Sequence, residues 1–378
     1  MPASGREIDK LLAHMLQNRA SDLHLCSTRR ARYRIDGDLH EEQQGPVYDI
    51  DTLRKLVFEI VPAKEAEEFE TRGACDFAYE IANVGRYRFN VYKDHRGFSA
   101  VARLIPSEIL TAEQLNLPKA VRALANLPKG LVLVTGPTGS GKSTTLATIL
   151  DLVNRSRKDH IITIEAPIEF VHKDKQCLVN QREVGRHTGG FREALRDALR
   201  EDPDVILVGE MRDLETISTA IETASTGHLV FGTLHTTTAT STVNRIIEIF
   251  PADQQAQVRY GLAESLKAVV AQILLKKKGG GRVAALEVLM VTTSVSNLIR
   301  EQKTHQLLNQ MQTGRSLGMQ LLTDELVRLV KSDLVEPAEA YSKAPDRAEF
   351  VRQLGANGIT FKPPADEGMP PATEEGEG

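Results

Sequence analysis

A glycine-rich stretch near the middle of the chain carries residues that could bind a polyphosphate. It reads GPTGSGKST and fits the pattern G-x-x-x-x-G-K-[ST] at every fixed position. An apolar run precedes it and a helix-compatible segment follows it, which is the context that this pattern requires. Its glycines let successive backbone N–H groups point at phosphate oxygens. We therefore predict a nucleotide site at nine consecutive residues: Gly136, Pro137, Thr138, Gly139, Ser140, Gly141, Lys142, Ser143 and Thr144.

The last residues of this loop have separate expected roles. Lys142 would reach the β- and γ-phosphates, and the Ser143 hydroxyl would complete a Mg²⁺ shell with phosphate oxygens and water. The helix that begins near Gly141 would add its positive N-terminal end. The expected ligand is a nucleoside triphosphate, with Mg²⁺ as its cofactor.

Two acidic segments follow the loop at the ends of predicted strands. The apolar run VILV at 205–208 leads to Gly209 and Glu210. A buried parallel strand holds a carboxylate rigidly at its carboxyl end, where it can organise Mg²⁺ and its water. The earlier segment TIEAPIE places Glu165 at the end of the preceding strand, where a carboxylate can activate the attacking water. We predict that Glu165 and Glu210 form the hydrolytic pair.

Four further candidates have two interpretations each. His228 and His235 flank an apolar strand, and lone histidines serve structural roles at least as often as catalytic ones. No third ligand with suitable spacing accompanies them, so we expect no metal site from this pair. Arg88 and Arg103 lie on alternating strands, either as solvated arginines or as arginine fingers that reach a phosphate. The residues alone favour the solvated interpretation.

Composition limits the class of protein. The chain has 378 residues, which is long for one core, and carries 47 basic and 51 acidic residues. Five acids fall in the last thirteen residues, so the rest is nearly neutral and no nucleic-acid partner is required: Asp366, Glu367, Glu374, Glu375 and Glu377. Three distant cysteines argue against disulfides or zinc and suit a reducing compartment. No apolar run approaches the roughly 20 residues that a bilayer needs, so no membrane insertion is expected.

The elements around these motifs predict two domains of mixed α/β class. Short helices and alternating strands up to residue 105 indicate a small α+β domain, and alternating strands and helices after residue 119 indicate a parallel sheet. We expect a long helical stretch over 253–275 and an exposed hairpin turn at KKKGGGR before a strand over 283–290. The predicted bounds are 1–105 for the first domain, 106–118 for a linker, 119–354 for the second domain and 355–378 for a disordered acidic tail.

Further motifs, in the same order along the chain, point to a family. They are ASDLHL at 20–25, RYRFN at 86–90, ITIE and PIEFVH within 162–172, VNQREVG at 179–185, ALREDPDVILVGEMRDLETI at 198–217, TGHLVFGTLHT at 226–236, NLIRE at 297–301 and SLGMQ at 316–320. Together with the phosphate loop they resemble the secretion and type IV pilus ATPases, and within them the PilT-type retraction motors of twitching motility. The resemblance covers residues 5–354.

The resemblance implies a fold, an assembly and residue roles. The expected fold is a PAS-like N-terminal domain followed by a RecA-like P-loop ATPase domain with a helical C-terminal part, assembled as a homohexamer with ATP between domains. The implied roles are phosphate contact for Arg88 and Arg103, catalytic glutamate for Glu165, Walker B glutamate for Glu210, and histidine box for His228 and His235. The implied partners are an inner-membrane platform protein and a second pilus ATPase. The implied location is the cytoplasm, peripheral to the inner membrane at the pilus base.

Departures from the family pattern leave alternatives open. Ala166 and His187 stand where the family usually has aspartate, and SVSNLIRE replaces the usual AIRNLIRE. These differences favour, as an alternative, a low-activity accessory subunit of a second motor. An extension or secretion ATPase is less favoured, because the longer N-terminal region and tetracysteine insertion of those proteins are missing. A DNA motor lacks a basic stripe with interleaved aromatics, and the chain has no Trp.

Overall fold

A computed structural model of the chain describes residues 5–82, 84–105 and 108–363. The helices are α1 (Glu7–Gln17), α2 (Ile50–Phe58), α3 (Ala63–Arg72), α4 (Lys119–Ala123), α5 (Lys142–Ser156), α6 (Phe191–Ala198), α7 (Leu214–Thr226), α8 (Ala239–Glu248), α9 (Gln255–Ser265), α10 (Thr293–Arg300), α11 (Leu307–Thr313), α12 (Leu322–Lys331), α13 (Pro337–Lys343) and α14 (Arg347–Ala356). The strands are β1 (Asp22–Cys26), β2 (Arg32–Ile35), β3 (Asp38–Glu41), β4 (Ala74–Ile81), β5 (Gly85–Asp94), β6 (Gly97–Ile105), β7 (Gly130–Thr135), β8 (His160–Glu165), β9 (Leu178–Glu183), β10 (Val205–Val208), β11 (Leu229–Leu234), β12 (Leu266–Lys276) and β13 (Arg282–Met290). The mixed α/β class that we predicted is confirmed.

The first sheet contains six antiparallel strands in the order β3-β2-β1-β6-β5-β4. Its core face follows from the period-two pattern of β5, where Tyr87, Phe89 and Val91 are fully buried. Helix α1 packs on this face through Ile8 and Leu12. The alternate side chains of β5 point to the opposite face, which therefore carries the polar residues of the strand.

The second sheet contains seven strands in the order β13-β12-β7-β11-β10-β8-β9. Parallel pairing joins β12 to β7, β11 to β10, β10 to β8 and β8 to β9, whereas β12 and β13 pair antiparallel. Every residue of β7, β10 and β11 is buried, as expected for strands covered on both faces. The predicted parallel sheet is therefore present, and the functional motifs follow the carboxyl ends of its strands.

The long helix predicted over 253–275 is wrong. Helix α9 ends at Ser265, and the following residues form the eleven-residue strand β12 between β7 and β13. A continuous apolar run fits a buried strand and a buried helix equally well by its periodicity. The β-branched pair Val269 and Val270 suits the strand, because such side chains pack well in a pleated sheet. The predicted hairpin turn and the strand after it are confirmed as the connection to β13.

The chain groups into two compact units, each with its own set of segments. The first comprises the residues up to Leu117, together with Arg122–Lys129 and Ser143–Gly232, and the second comprises Pro118–Val121, Gly130–Lys142 and the residues from Thr233 onward. The predicted domain bounds of 1–105 and 119–354 stay a prediction. The part of the predicted linker that is described, residues 108–118, contains neither a helix nor a strand.

The C-terminal helices pack on the end of the second sheet. Helices α12 and α14 contribute Leu326, Leu329 and Phe350 to a core that also includes β12 and β13 residues. The predicted start of the tail at residue 355 lies inside α14, and Phe361 contacts Tyr341 with ring centroids 5.5 Å apart. The rest of the predicted tail, residues 364–378, lies outside the described residues. Within the described ranges, no helix is both long and apolar enough to cross a bilayer.

Candidate functional site

The glycine-rich loop joins the buried strand β7 to helix α5. Gly136, Gly139 and Gly141 have φ angles of 145°, 78° and 87°, which glycine adopts without the steric cost that a Cβ brings. A Cβ at Gly136 would lie 2.2 Å from the backbone oxygen of Gln272, so this position also requires glycine for close approach to β12. The Nζ atom of Lys142 donates to the carbonyl oxygens of Gly136, at 2.8 Å, and of Pro137, at 3.1 Å. The lysine thus folds back over the loop that it follows.

Gln272 is a residue of this site that the sequence did not reveal. Its Nε2 atom donates to the carbonyl oxygen of Ser140 at 2.7 Å, and the residue is 3% exposed. An amide in an apolar strand requires hydrogen-bond partners, and this one uses the phosphate loop. The interpretation of 253–275 as a helix hid this contact, although a single glutamine within VVAQILL was a signal. Gln272 therefore fixes the loop to β12.

We expect Gln272→Leu to weaken ADP binding about tenfold, because the Ser140 carbonyl loses a buried donor and the loop relaxes. Fluorescence titration with a labelled ADP measures this change. Gln320→Leu is the matched control, since its Nε2 atom donates at 2.8 Å to the carbonyl oxygen of Leu286 in β13. The control should lower the melting temperature and leave the ADP affinity unchanged. Equal loss of affinity in both variants would contradict the role of Gln272.

Glu165 ends strand β8 in a partly buried position. Its Oε1 atom accepts hydrogen bonds from Thr163 Oγ1 at 2.6 Å and from Gln181 Nε2 at 3.1 Å. Burial raises the pKa of the carboxyl group, and the hydrogen bonds from Thr163 and Gln181 oppose this rise only in part. A carboxylate with a raised pKa accepts a proton more readily at neutral pH, so Glu165 has the environment of a general base.

Glu210 is placed beside Glu165 by a close contact between two backbones. The Gly209 N–H donates to the Ile164 carbonyl at 2.7 Å. A Cβ at Gly209 would lie 3.0 Å from that oxygen and 3.2 Å from the Cα of Glu165, so glycine lets the ends of β8 and β10 meet. The Glu210 carboxylate forms an ion pair with Arg212. The structure thus brings the two predicted acidic segments together.

The two predicted histidines lie at opposite ends of β11. His228 precedes the strand, where its Nδ1 atom is 3.2 Å from the carbonyl oxygen of Thr223. The strand has six residues, so it separates His228 from His235 by about 20 Å. Because β8, β10 and β11 are parallel, His228 lies at the sheet edge opposite to Glu165. His235 follows β11 as an exposed residue. The catalytic roles of both histidines stay a prediction.

The two predicted arginine fingers occupy the polar face of the first sheet. Arg88 on β5 lies directly opposite Arg103 on β6. Their side chains are 45% and 65% exposed, and each forms an ion pair with an aspartate. The structure therefore brings them together as one exposed basic pair, which leaves their contact with phosphate a prediction.

The two departures from the family pattern lie in the bend after β8 and in the turn after β9. Ala166 follows Glu165 and is joined to Pro167 by a cis peptide bond. His187 uses its Nδ1 atom to accept the backbone N–H of Glu183 at 3.0 Å, which closes a turn after β9. Within the described residues, no group of three or more His, Cys, Asp or Glu side chains is arranged to hold a metal ion.

Comparison with known proteins identifies relatives over most of the chain. The model of the type II/IV secretion system protein family matches residues 4–338. The type IV pilus retraction ATPase PilT of Pseudomonas aeruginosa is 51% identical over 338 residues, which cover 89% of this chain and 98% of that protein. The type IV pilus ATPase PilU of the same organism is 36% identical, with 93% of this chain and 92% of that protein covered.

A solved structure has the same fold. The crystal structure of the pilus retraction motor PilT with bound ADP matches with a TM-score of 0.84 and 44% sequence identity. The match covers 92% of this chain and all of that chain. The similarity therefore extends over both sheets described above.

Proposed function

Because the chain belongs to the type II/IV secretion system protein family, we propose that it is an ATP-hydrolysing motor that powers type IV pilus retraction. The observation that carries this proposal is the 51% identity to a retraction ATPase over nearly the whole length of both proteins. The phosphate loop and the partly buried Glu165 support it, because they provide the two chemical parts that hydrolysis needs.

The finer architecture is also part of this proposal. The antiparallel first sheet corresponds to the PAS-like domain and the mostly parallel second sheet to the RecA-like domain, with α10–α14 as the helical C-terminal part. We propose a homohexamer, in which a nucleotide shared by moving domains converts phosphate contacts into rotation. The motor acts on an inner-membrane platform protein at the cytoplasmic base of the pilus, together with a second pilus ATPase.

Each residue of the proposed site has one role. Lys142 binds the β- and γ-phosphates, and the Ser143 hydroxyl at the start of α5 would help to hold Mg²⁺, which would neutralise charge on those phosphates. Glu165 accepts the proton of the attacking water, and Glu210 would help to hold Mg²⁺ and its water. Arg88 and Arg103 neutralise charge that develops on the transferred phosphate.

The accessory interpretation is the second candidate, and Ala166 and His187 favour it. Neither residue supplies the side-chain hydrogen bonds of Glu165, since these come from Thr163 and Gln181. We therefore retain hydrolysis as the proposed activity of this chain.

The test is the steady-state ATPase activity of the purified chain with Mg²⁺, with oligomeric state measured on the same sample. We expect a hydrolysing hexamer, and we expect Arg88→Ala and Arg103→Ala each to lower kcat by about a hundredfold or more, because a charge that stabilises the transition state is lost. Arg96→Ala, in the exposed turn between the same two strands, is the matched control and should hydrolyse ATP normally.

Three outcomes separate the interpretations. Nucleotide binding without turnover in the wild type would contradict the motor and favour the accessory subunit. Wild-type rates in both arginine variants would show that these arginines are solvated surface residues. Loss of activity in Arg96→Ala as well would attribute the effect to general damage of the sheet.

A further inference from the structure

A row of charged side chains crosses the polar face of the first sheet. Strand register places Arg88 opposite Arg103, Arg103 opposite Asp22, and Asp22 opposite Arg34. Residues directly opposite each other in neighbouring strands project on the same face. We call these four residues the arginine row. It runs across β5, β6, β1 and β2 in that order.

The arginine row concentrates positive charge at an energetic cost. Like charges directly opposite each other destabilise a sheet, and Arg88 and Arg103 form such a pair. Each arginine of this pair also contacts an aspartate on the neighbouring strand away from the other arginine. The distance from Arg103 Nε to Asp22 Oδ1 is 2.7 Å, and the distance from Arg88 Nη2 to Asp76 Oδ1 is 3.6 Å. The two acids differ in burial, since the Asp22 side chain is 5% exposed and that of Asp76 is 54% exposed.

Asp22 is a buried carboxylate, and each of its two oxygens accepts a hydrogen bond. Besides Arg103, it accepts a hydrogen bond from Ser21 Oγ at 2.7 Å, and Arg34 Nε lies 3.8 Å from its Oδ2. Burial alone would raise the pKa of Asp22, but the hydrogen bonds from Ser21 and Arg103, together with the positive charge of Arg103, hold this pKa below its usual value. Asp22 is therefore ionised at neutral pH, and its interaction with Arg103 is a charge-assisted hydrogen bond.

The geometry of this contact leaves the anion-binding end of Arg103 available. Only the Nε–H of the guanidinium meets Asp22, and the side chain is 65% exposed. Within the described part of the chain, the Nη1 and Nη2 atoms of Arg103 make no hydrogen bond. These two nitrogens are part of the planar fork that arginine uses to bind phosphate. The hydrogen bond from Nε to Asp22 therefore fixes the plane of the guanidinium group and leaves its two Nη nitrogens available.

We propose that Asp22 is a positioning residue for ATP hydrolysis, which acts by holding the Nη groups of Arg103 outward for a nucleotide phosphate. This inference rests on the proposed function, in which Arg103 contacts that phosphate. Asp22 itself touches neither nucleotide nor water in this role. Asp22 affects kcat only by orienting Arg103. The proposal is testable because replacing Asp22 should then have no effect once Arg103 is removed.

A double-mutant cycle tests the proposal. Asp22→Asn keeps the shape of the side chain but removes its charge, and we expect kcat to fall about tenfold in the full-length protein. The Kd for labelled ADP should stay within about twofold, since ADP binding depends chiefly on the phosphate loop. In an Arg103→Gln background, Asp22→Asn should change kcat by less than about twofold, because the residue through which it acts is already lost.

Two further variants distinguish a positioning role of Asp22 from a folding defect. Asp38→Asn makes the same charge change on the exposed edge strand β3 and should leave kcat and the melting temperature unchanged. Arg103→Lys keeps the positive charge but removes both the Nε–H that meets Asp22 and the Nη groups that face the phosphate, and it should also lower kcat about tenfold. A wild-type kcat in this second variant would overturn the proposal even if Asp22→Asn does not fold.

The outcomes are distinct. Wild-type kcat in Asp22→Asn or Arg103→Lys, with a slow Arg103→Gln, would overturn the positioning role and leave the proposed function standing. The positioning role would also be overturned if the double variant lost kcat by the product of the two single losses, those of Asp22→Asn and Arg103→Gln. Asp22 would then act independently of Arg103. Wild-type kcat in Arg103→Gln would overturn both the positioning role and the phosphate contact on which it rests.

Discussion

Lys142→Ala is expected to weaken ATP binding by about ten- to a hundredfold and to abolish measurable hydrolysis, because each charge-assisted hydrogen bond to phosphate contributes about 1.5–3 kcal/mol. The structure places the Nζ atom of Lys142 over the loop carbonyls of Gly136 and Pro137. From this position the ammonium group can turn to a phosphate that enters the loop. Isothermal titration with ATP and Mg²⁺ measures the affinity.

Lys129→Ala is the matched control for this variant. Lys129 is an exposed lysine immediately before β7, at the opposite end of the strand from the phosphate loop. Its removal changes the net charge by the same amount and should leave the ATP affinity unchanged. ATP affinity in Lys142→Ala equal to that of the wild type would refute the phosphate role of this lysine.

Glu165→Gln is expected to lower kcat by about a hundredfold or more while ATP still binds, because a neutral amide cannot accept the proton of the attacking water. The amide oxygen can still accept the hydrogen bonds from Thr163 and Gln181, so the surrounding structure is kept. As the pH is lowered, protonation of Glu165 should reduce the wild-type rate. Because burial raises the pKa of Glu165, this loss should begin at a higher pH than for an ordinary glutamate. A pH–rate profile of kcat/KM shows this limb.

The same substitution has an expected effect on stability, with a fixed sign. A carboxyl whose pKa is raised in the folded state stabilises the fold below its unfolded pKa, and this stability is lost as pH rises through the folded pKa. Glu165→Gln should therefore melt at the same or a higher temperature than the wild type at pH 7. Normal turnover in a stable Glu165→Gln protein would show that Glu165 is not the base.

Much of the fold could be predicted because its residues determine structure locally. The strands Val205–Val208 and Arg282–Met290 lie within one residue of the predicted positions, since short apolar segments with clear boundaries leave few alternatives. The phosphate loop was recognisable for the same reason, because its glycines and Lys142 perform their functions within nine consecutive residues.

The rest depended on contacts between distant parts of the chain. The strand Leu266–Lys276 was predicted as a helix, because only its neighbours in the sheet distinguish the two structures. The contact of Gln272 with Ser140 joins residues 132 positions apart, and that of Arg103 with Asp22 joins residues 81 positions apart. The sequence showed that His228 and His235 flank one strand. The placement of His228 at the opposite end of the strands from Glu165 followed only from the parallel pairing of β8, β10 and β11.

Imaging of labelled pili on living cells that carry Lys142→Ala in place of the wild-type chain tests the central claim most directly. A retraction motor without ATP binding should leave cells whose pili extend normally and do not retract. Cells that retract their pili at the wild-type speed would contradict the claim that this chain is the motor. Cells without any pili would also contradict it, because the chain would then power extension.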